Sequence, residues 1–298
     1  MKFNKPALSF AEQVRLLQSR GLLIADADAA ERFLSHTNYY RFAGYLLPFE
    51  SDHPTHALRS GTTFEQVTQL YLLDRELRLL VMDAIERIEV SVRTQWAYHL
   101  AHHAAAHAYL LPELVTSAAL HIRQLAILER ELDRSSETFI KHFKSHYSQP
   151  DLPPVWAVCE IMSLGQLSQW YTLLRPISLR KQIARIYGLD QQVLQSVLQH
   201  LTYVRNICAH HGRLWNREMV ITCVDPKNPA KLGDALAAPE SRRLYKTLCV
   251  ITHLLDCIQP NNEWRDRLVG LLSSRTSATA AMGFPAEWTD FELWKSGR

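Results

Sequence analysis

The chain has 298 residues, 47% of them hydrophobic and 21% charged, with a formal net charge of +3 and its 14 histidines counted neutral. That length suffices for a sizeable core in one or two domains, and the composition excludes a disordered or low-complexity polymer. The mild positive charge permits a nucleic-acid partner without requiring one, because a local patch matters more than the total.

The five cysteines, Cys159, Cys208, Cys223, Cys249 and Cys257, are odd in number, scattered, and form no CxxC pair. This argues against a disulfide framework or a cysteine zinc site and for reduced thiols in a cytoplasm. The opening residues MKFNKPALSF lack an apolar stretch, so no secretory signal is expected. No apolar run is long enough to predict a membrane span. Glycine is scarce, 10 residues in all, which favours long helices over many tight turns.

Helix signals follow in close succession. Ser9 and Glu12 have capping-box spacing, and Gly21 closes the helix they open. Asp28 and Glu31 repeat that spacing and predict a second helix. The cluster Asn38 to Tyr45 is aromatic; Tyr39, Tyr40 and Arg41 in it read as core packing with one buried ion pair. Residues 50–62 read as a loop. Thr63 and Gln66 then open the strongest element. Val67, Leu70, Leu73, Leu77, Leu80, Val81, Ala84, Ile85, Ile88, Val92 and Trp96 recur every three or four residues, a helical period held for about eight turns. Such a helix is usually the spine of a bundle.

Further helices are predicted over 112–133, 136–147, 154–174 and 178–187. Gly188 ends the last, and Asp190 opens the next. Val193, Leu194, Val197, Leu198, Leu201 and Val204 carry that helix to about His211, with Gly212 at its C-cap. Residues 224–239 read as a loop, and helices are expected over 240–258 and 262–274. Only 219–224 has any strand-like alternation. The class is all-α, divided as an N-terminal helical segment packed on the core (1–62), a helical core (63–275) and a C-terminal tail (276–298).

Arg205-Asn206-Ile207-Cys208-Ala209-His210 carries the sharpest chemistry. Asn206 and His210 are four apart and share a helix face. Arg205 lies ~140° around the helix from His210 at 100° per residue, and its long side chain can bend to the same groove. An imidazole, a guanidinium and an amide suit RNA cleavage without metal. A base removes the proton of a ribose 2′-hydroxyl, the oxygen attacks the neighbouring phosphate, and an acid protonates the leaving 5′-oxygen. The guanidinium stabilises the charge that builds on phosphorus. Spacing alone is weak, however: R-x4-H arises by chance in many helices. Arg205 then reads as a surface ion-pair partner and His210 as a residue suited to a helix C-terminus.

Several blocks together carry a resemblance. Leu201 to Arg217, around the R-x4-H motif, is similar to the signature of the abortive-infection (Abi) family, itself similar to the HEPN ribonucleases. Lys5-Pro6, Gln13 to Leu17, Arg20-Gly21-Leu22 and Asn38 to Tyr45 resemble the family's opening. Leu70 to Arg78 and Ile88 to Arg93 resemble its long helix, and Met282 to Trp288 its tail. The resemblance implies a HEPN-type helical bundle with additional N- and C-terminal helices. It also implies a metal-independent endoribonuclease acting in phage defence, with no metal or cofactor. His210 would then be general base or acid, Arg205 the phosphate clamp and Asn206 an orienting donor. RNA is the implied substrate, a homodimer the implied assembly, and an antitoxin, protein or RNA, an implied partner. The rival reading is a non-catalytic HEPN module that binds RNA or protein.

His211, Arg213, Trp215 and Arg217 follow the motif as candidate RNA contacts, the cations on phosphate and the ring on a base. The alternative has Trp215 packed under the helix end. His99, His103 and His107 stand at i, i+4 and i+8 and could hold zinc, though a solvated helix end fits them better. Asp74–Arg78 and Glu89–Arg93 are i, i+4 pairs, worth only ~0.3–0.5 kcal/mol each as plain surface pairs. Their place on the long helix also suits a site or a dimer groove.

Overall fold

The computed structural model describes residues 6–237, 242–273 and 275–295. The described chain is helical apart from one small hairpin, which bears out the all-α class. It divides into two compact units, residues 1–77 and 78–298, the division falling within the long helix.

In the first unit, α1 (Phe10–Ser19) begins with the expected capping box. The Ser9 hydroxyl accepts from Glu12 N–H at 3.3 Å and the Glu12 carboxylate from Ser9 N–H at 2.7 Å. Gly21 ends it with φ +95°. The cap of α2 (Ala27–His36) is Asp26, whose carboxylate accepts from Ala29 N–H at 2.8 Å. Asp28, expected as the cap, sits in the first turn, where an acid suits the helix dipole. In α3 (Tyr39–Leu46) Phe42 and Tyr45 enter the core with Leu17, Leu34 and Val67. Tyr40, expected inside, is 78% exposed. Tyr39 is half-buried, and its hydroxyl accepts from Arg20 at 2.6 Å. The expected 50–62 loop holds an antiparallel pair, β1 (Glu50–Asp52) and β2 (Ala57–Leu58).

The spine, α4 (Phe64–His103), is 40 residues long, about 60 Å at 1.5 Å per residue. The Thr63–Gln66 box starts it as predicted. Its apolar period runs past Trp96, the last position expected, because Leu100 is also buried.

The second unit adds α5 (Ala118–Arg134), α6 (Thr138–His146), α7 (Val155–Ile161), α8 (Leu164–Leu173), α9 (Ile177–Ile186) and α10 (Gln191–Ala209). It closes with α11 (Ala230–Leu236), α12 (Leu244–Ile258), α13 (Trp264–Leu272) and α14 (Thr276–Ala281). Several expectations change. The helix predicted from 112 begins at Ala118, because Ser117 caps it and Pro112 starts a separate 3-10 turn. The helix predicted over 154–174 breaks at Met162–Ser163, where Ser163 and Gln166 form a capping box. The loop predicted over 224–239 contains α11, and 219–224 forms no strand. The tail holds α14 and two 3-10 turns. The predicted helix starting at 240 begins at Leu244; its first residues, Lys5 and residues 274 and 296–298 lie outside the described residues.

Helix α10 runs against α8 and α9 and buries Leu194, Val197, Leu198, Leu201 and Val204. Around it lie fully buried tryptophans: Trp96 of α4 meets Trp170 of α8 with ring centres 6.0 Å apart. Trp264 donates its indole N–H to the Leu80 carbonyl at 2.7 Å.

Candidate functional site at the end of α10

The sequence sets the limits of α10 at both ends. Asp190 caps the start, accepting from Gln192 N–H at 2.8 Å. At the other end Ala209 is the last helical residue and His210 the cap. His211 N–H donates to the Cys208 carbonyl at 3.0 Å and Gly212 N–H to the Ile207 carbonyl at 2.8 Å. This paired closure is the Schellman motif. Its left-handed position, expected to fall near Gly212, is taken by His211 with φ +57°. A side chain there costs ~1–2 kcal/mol relative to glycine. Gly212 is needed for room instead: a Cβ on it would sit 3.2 Å from the Ile207 carbonyl oxygen.

The core stripe of α10 turns the motif outward. Cys208, between Arg205 and His210, is buried, whereas Asn206 and His210 are exposed and Arg205 is half-buried. The Arg205 guanidinium reaches the Asn206 side-chain oxygen at 3.5 Å, the outer limit of a hydrogen bond. It also lines a cavity of about 240 Å³ shared with Glu86, Glu89, Val90 and Arg93 of α4. The three motif residues thus occupy one helix end, with Arg205 turned toward the spine.

Within that cavity Glu89 and Arg93 form an ion pair whose side chains are only 13% and 17% exposed. Arg93 also donates to the carbonyls of Glu160 and Met162, at 3.1 and 2.6 Å. The pair is therefore more enclosed than a plain helix-surface pair. With two carbonyls and a carboxylate as acceptors, the Arg93 guanidinium is held in place in the wall of the cavity that Arg205 also lines. Sequence alone offered the Glu89–Arg93 spacing but not its nearness to Arg205, which depends on how α4 and α10 meet.

The residues after the motif separate. His211 is exposed, and Arg213 and Arg217 are half-buried, with Arg217 donating from Nε to the Arg213 carbonyl at 2.7 Å. Trp215 is 3% exposed and donates its indole N–H to the Ala278 carbonyl at 3.0 Å. Its ring packs behind the helix end and is covered, so stacking on a base is not open to it. The zinc candidates also part: α4 ends at His103, which takes His107 off the helical register. Among the described residues no group of three or more His, Cys, Asp or Glu is placed to hold a metal ion.

His200 lies on α10 ten residues before His210, on the inward face. Its Nδ1–H donates to the Ile221 carbonyl at 2.6 Å, and its Nε2 accepts from the Thr247 hydroxyl at 2.8 Å. Burial holds its pKa below the ordinary histidine value, against the opposite pull of the Ile221 carbonyl. A neutral, doubly bonded ring of this kind is a structural strut.

A model of the Abi-like protein family matches residues 32–216, which take in α3, α4 and all of α10 with Arg205, Asn206 and His210. No curated protein and no solved structure matches the chain. Among the described residues no helix is long and apolar enough to cross a membrane.

Proposed function

The chain belongs to the Abi-like protein family, and from that premise we propose that it is a metal-independent endoribonuclease of the HEPN type, the effector of an abortive-infection response to phage. One observation carries the reading: exposed Asn206 and His210 share the end of α10 with Arg205, which lines a cavity together with the Glu89–Arg93 ion pair. In the proposed reaction an imidazole takes the 2′-hydroxyl proton and the 2′-oxygen bonds to phosphorus. The bond from phosphorus to the 5′-oxygen breaks, and a second acid returns a proton to that oxygen. The products are a 2′,3′-cyclic phosphate and a 5′-hydroxyl. Arg205 neutralises the phosphorane, and Asn206 orients the phosphate. Because the attacking hydroxyl is specific to RNA, DNA is spared.

In-line displacement needs a base and an acid on opposite sides of phosphorus. One copy of the motif supplies one exposed imidazole, His210, since His211 leaves the helix in the left-handed conformation. A homodimer that brings two α10 ends to one cleft supplies the second imidazole and a second Arg205. Arg213 and Arg217 add positive charge to the approach. An antitoxin would act by covering this cleft.

The test is cleavage of end-labelled RNA by the purified chain with EDTA present. The expected result is undiminished cleavage leaving a 2′,3′-cyclic phosphate. Activity lost in EDTA and restored by a divalent ion would overturn the mechanism. RNA retained but never cut would assign the same cleft to binding alone. Heterodimers of wild-type and His210→Ala chains test the shared cleft: a rate far below half that of wild type is expected, and half the rate would show that each chain is complete by itself.

A further inference from the structure

Charge is spread unevenly along the chain. Residues 161–209, which hold α8, α9 and α10, contain five of its 33 Lys and Arg but one of its 30 Asp and Glu. That stretch carries a formal +4, and the other residues, with 28 cations and 29 carboxylates, carry −1. Its one carboxylate, Asp190, is engaged as the cap of α10. Four of the five cations, Arg175, Arg180, Lys181 and Arg185, lie on α9 or just before it. The mild net charge of the whole chain therefore hides a concentrated patch, and the patch is what a polyanion meets.

The cations around α9 are of two kinds. Arg175 and Arg180 tie the helix down: Arg175 donates from Nε to the Val115 carbonyl at 2.8 Å, and Arg180 from Nη1 to the Gln195 side-chain oxygen at 3.4 Å. Lys181 and Arg185 are four apart and share a face. Both are exposed, and neither pairs with a carboxylate among the described residues.

The Arg180–Gln195 bond fixes where this face stands relative to the motif. Asn206 follows Gln195 by eleven positions, ~16 Å along α10, and points within ~20° of the same direction. Gln192, Gln199 and Asn206 are all exposed and form a row at heptad spacing on that side of the helix. Helix α9 thus flanks the outward side of α10, the side that ends in Asn206 and His210. A merely solvated basic face would have no reason to lie on the same side as the motif.

We propose that the outward face of α9, through Lys181 and Arg185, and the amides of Gln192 and Gln199 on α10 form a docking surface for the RNA strand that leads away from the scissile phosphate. The cations hold phosphates, and the amides meet base edges. The proposal rests on the ribonuclease reading for RNA as the polymer, but it uses neither Arg205 nor His210.

Fluorescence anisotropy of the full chain tests it, with a labelled RNA of about 20 nucleotides, 2′-O-methylated throughout so that it cannot be cut, over a range of salt. Each phosphate contact on a single strand contributes about 0.7 to the slope of log K against log salt. Lys181→Gln/Arg185→Gln should lower that slope by about 1.4 and weaken binding about 25-fold at about 0.1 M salt. Arg130→Gln/Arg134→Gln, an exposed pair of the same spacing on α5, should change neither. With unmodified RNA the α9 variant should lose kcat/KM on the long strand and keep it on a dinucleotide, which is too short to reach α9. If the double variant does not melt as the parent does, Lys181→Gln alone carries the test, with half the change in slope. An unchanged slope in the α9 variant, an equal loss in the α5 control, or no RNA binding by the parent overturns the surface. So does binding of phosphatidylserine vesicles in place of RNA, a surface that exposed Ile177 and Ile186 would also suit. Binding that depends on α9 without cleavage of any RNA would remove the ribonuclease reading and leave the surface standing; cleavage with binding indifferent to α9 would do the reverse.

Discussion

Helix α10 carries His200 within it and His210 as its cap, and treats them oppositely. His200 is 3% exposed, satisfied at both ring nitrogens and held neutral by burial. His210 is exposed, where the helix has just ended. The difference comes from phase: position 200 falls on the Leu194–Val197–Leu201–Val204 stripe and position 210 opposite it. Under the proposed mechanism, a histidine serves as strut or as reagent according to which side of that stripe it occupies. The two can therefore be separated by experiment, because one should be read in stability and the other in rate.

The largest effect should come from His210→Ala. General acid–base catalysis contributes roughly 10²–10⁴-fold, so RNA cleavage should fall by that order. The unfolding free energy from urea titration should change by no more than about 0.5 kcal/mol, as for an exposed site. Cleavage persisting at the wild-type rate would remove His210 from the chemistry.

His200→Ala should show the reverse. It strands the Ile221 carbonyl and the Thr247 hydroxyl, about 1–3 kcal/mol for each group left unsatisfied. Urea unfolding should show the loss, while the folded fraction cleaves RNA at nearly the parental rate. A fully stable variant with collapsed cleavage would exchange the two roles.

The contrast also has a pH signature. Burial depresses the pKa of His200 and of His253 in the fold, below the 6.5 of an ordinary histidine. The unfolded chain therefore binds protons that the native one refuses. Stability should be full above about pH 6.5 and fall as the pH drops below it, toward the lower native pKa values. Unfolding midpoints measured down through that range check the sign, and His200→Gln should flatten part of the slope.

The smallest effect is expected from Trp215→Phe. Losing one neutral hydrogen bond, to the Ala278 carbonyl, costs about 0.5–1.5 kcal/mol, with RNA affinity unchanged. A large loss of RNA binding at unaltered stability would return Trp215 to the RNA surface.

What could be read from the sequence was whatever short-range chemistry decides. The Thr63–Gln66 box, the period of α4 and the Asp190 cap each depend on residues within a few positions, and each stands as predicted. The Ser163–Gln166 box was equally legible and marks the break between α7 and α8, but a continuous apolar pattern on either side hid it. At the site, the residue types and the outward phase of Asn206 and His210 were legible. Glu89 and Arg93 as neighbours of Arg205 were not, because that depends on segments distant in the chain, and the burial of Trp215 was one of two readings the sequence left open. The left-handed residue falls on His211, the position after the His210 cap, one before the glycine expected to hold it.

The length of α4 also has a consequence for synthesis. Leu17, Leu34, Phe42 and Val67, in the first unit's core, all precede residue 78. The rest of the spine must wait for its partners: Trp96 for Trp170, Arg93 for the Met162 carbonyl, Leu80 for Trp264. At ~5–20 residues per second, a ribosome leaves the apolar face from Leu80 to Leu100 uncovered for several seconds at least, and the Trp264 contact for longer. During that interval the nascent chain is a client for chaperones, and a ribosome stalled before α8 would present an apolar half-helix with nothing to pack on.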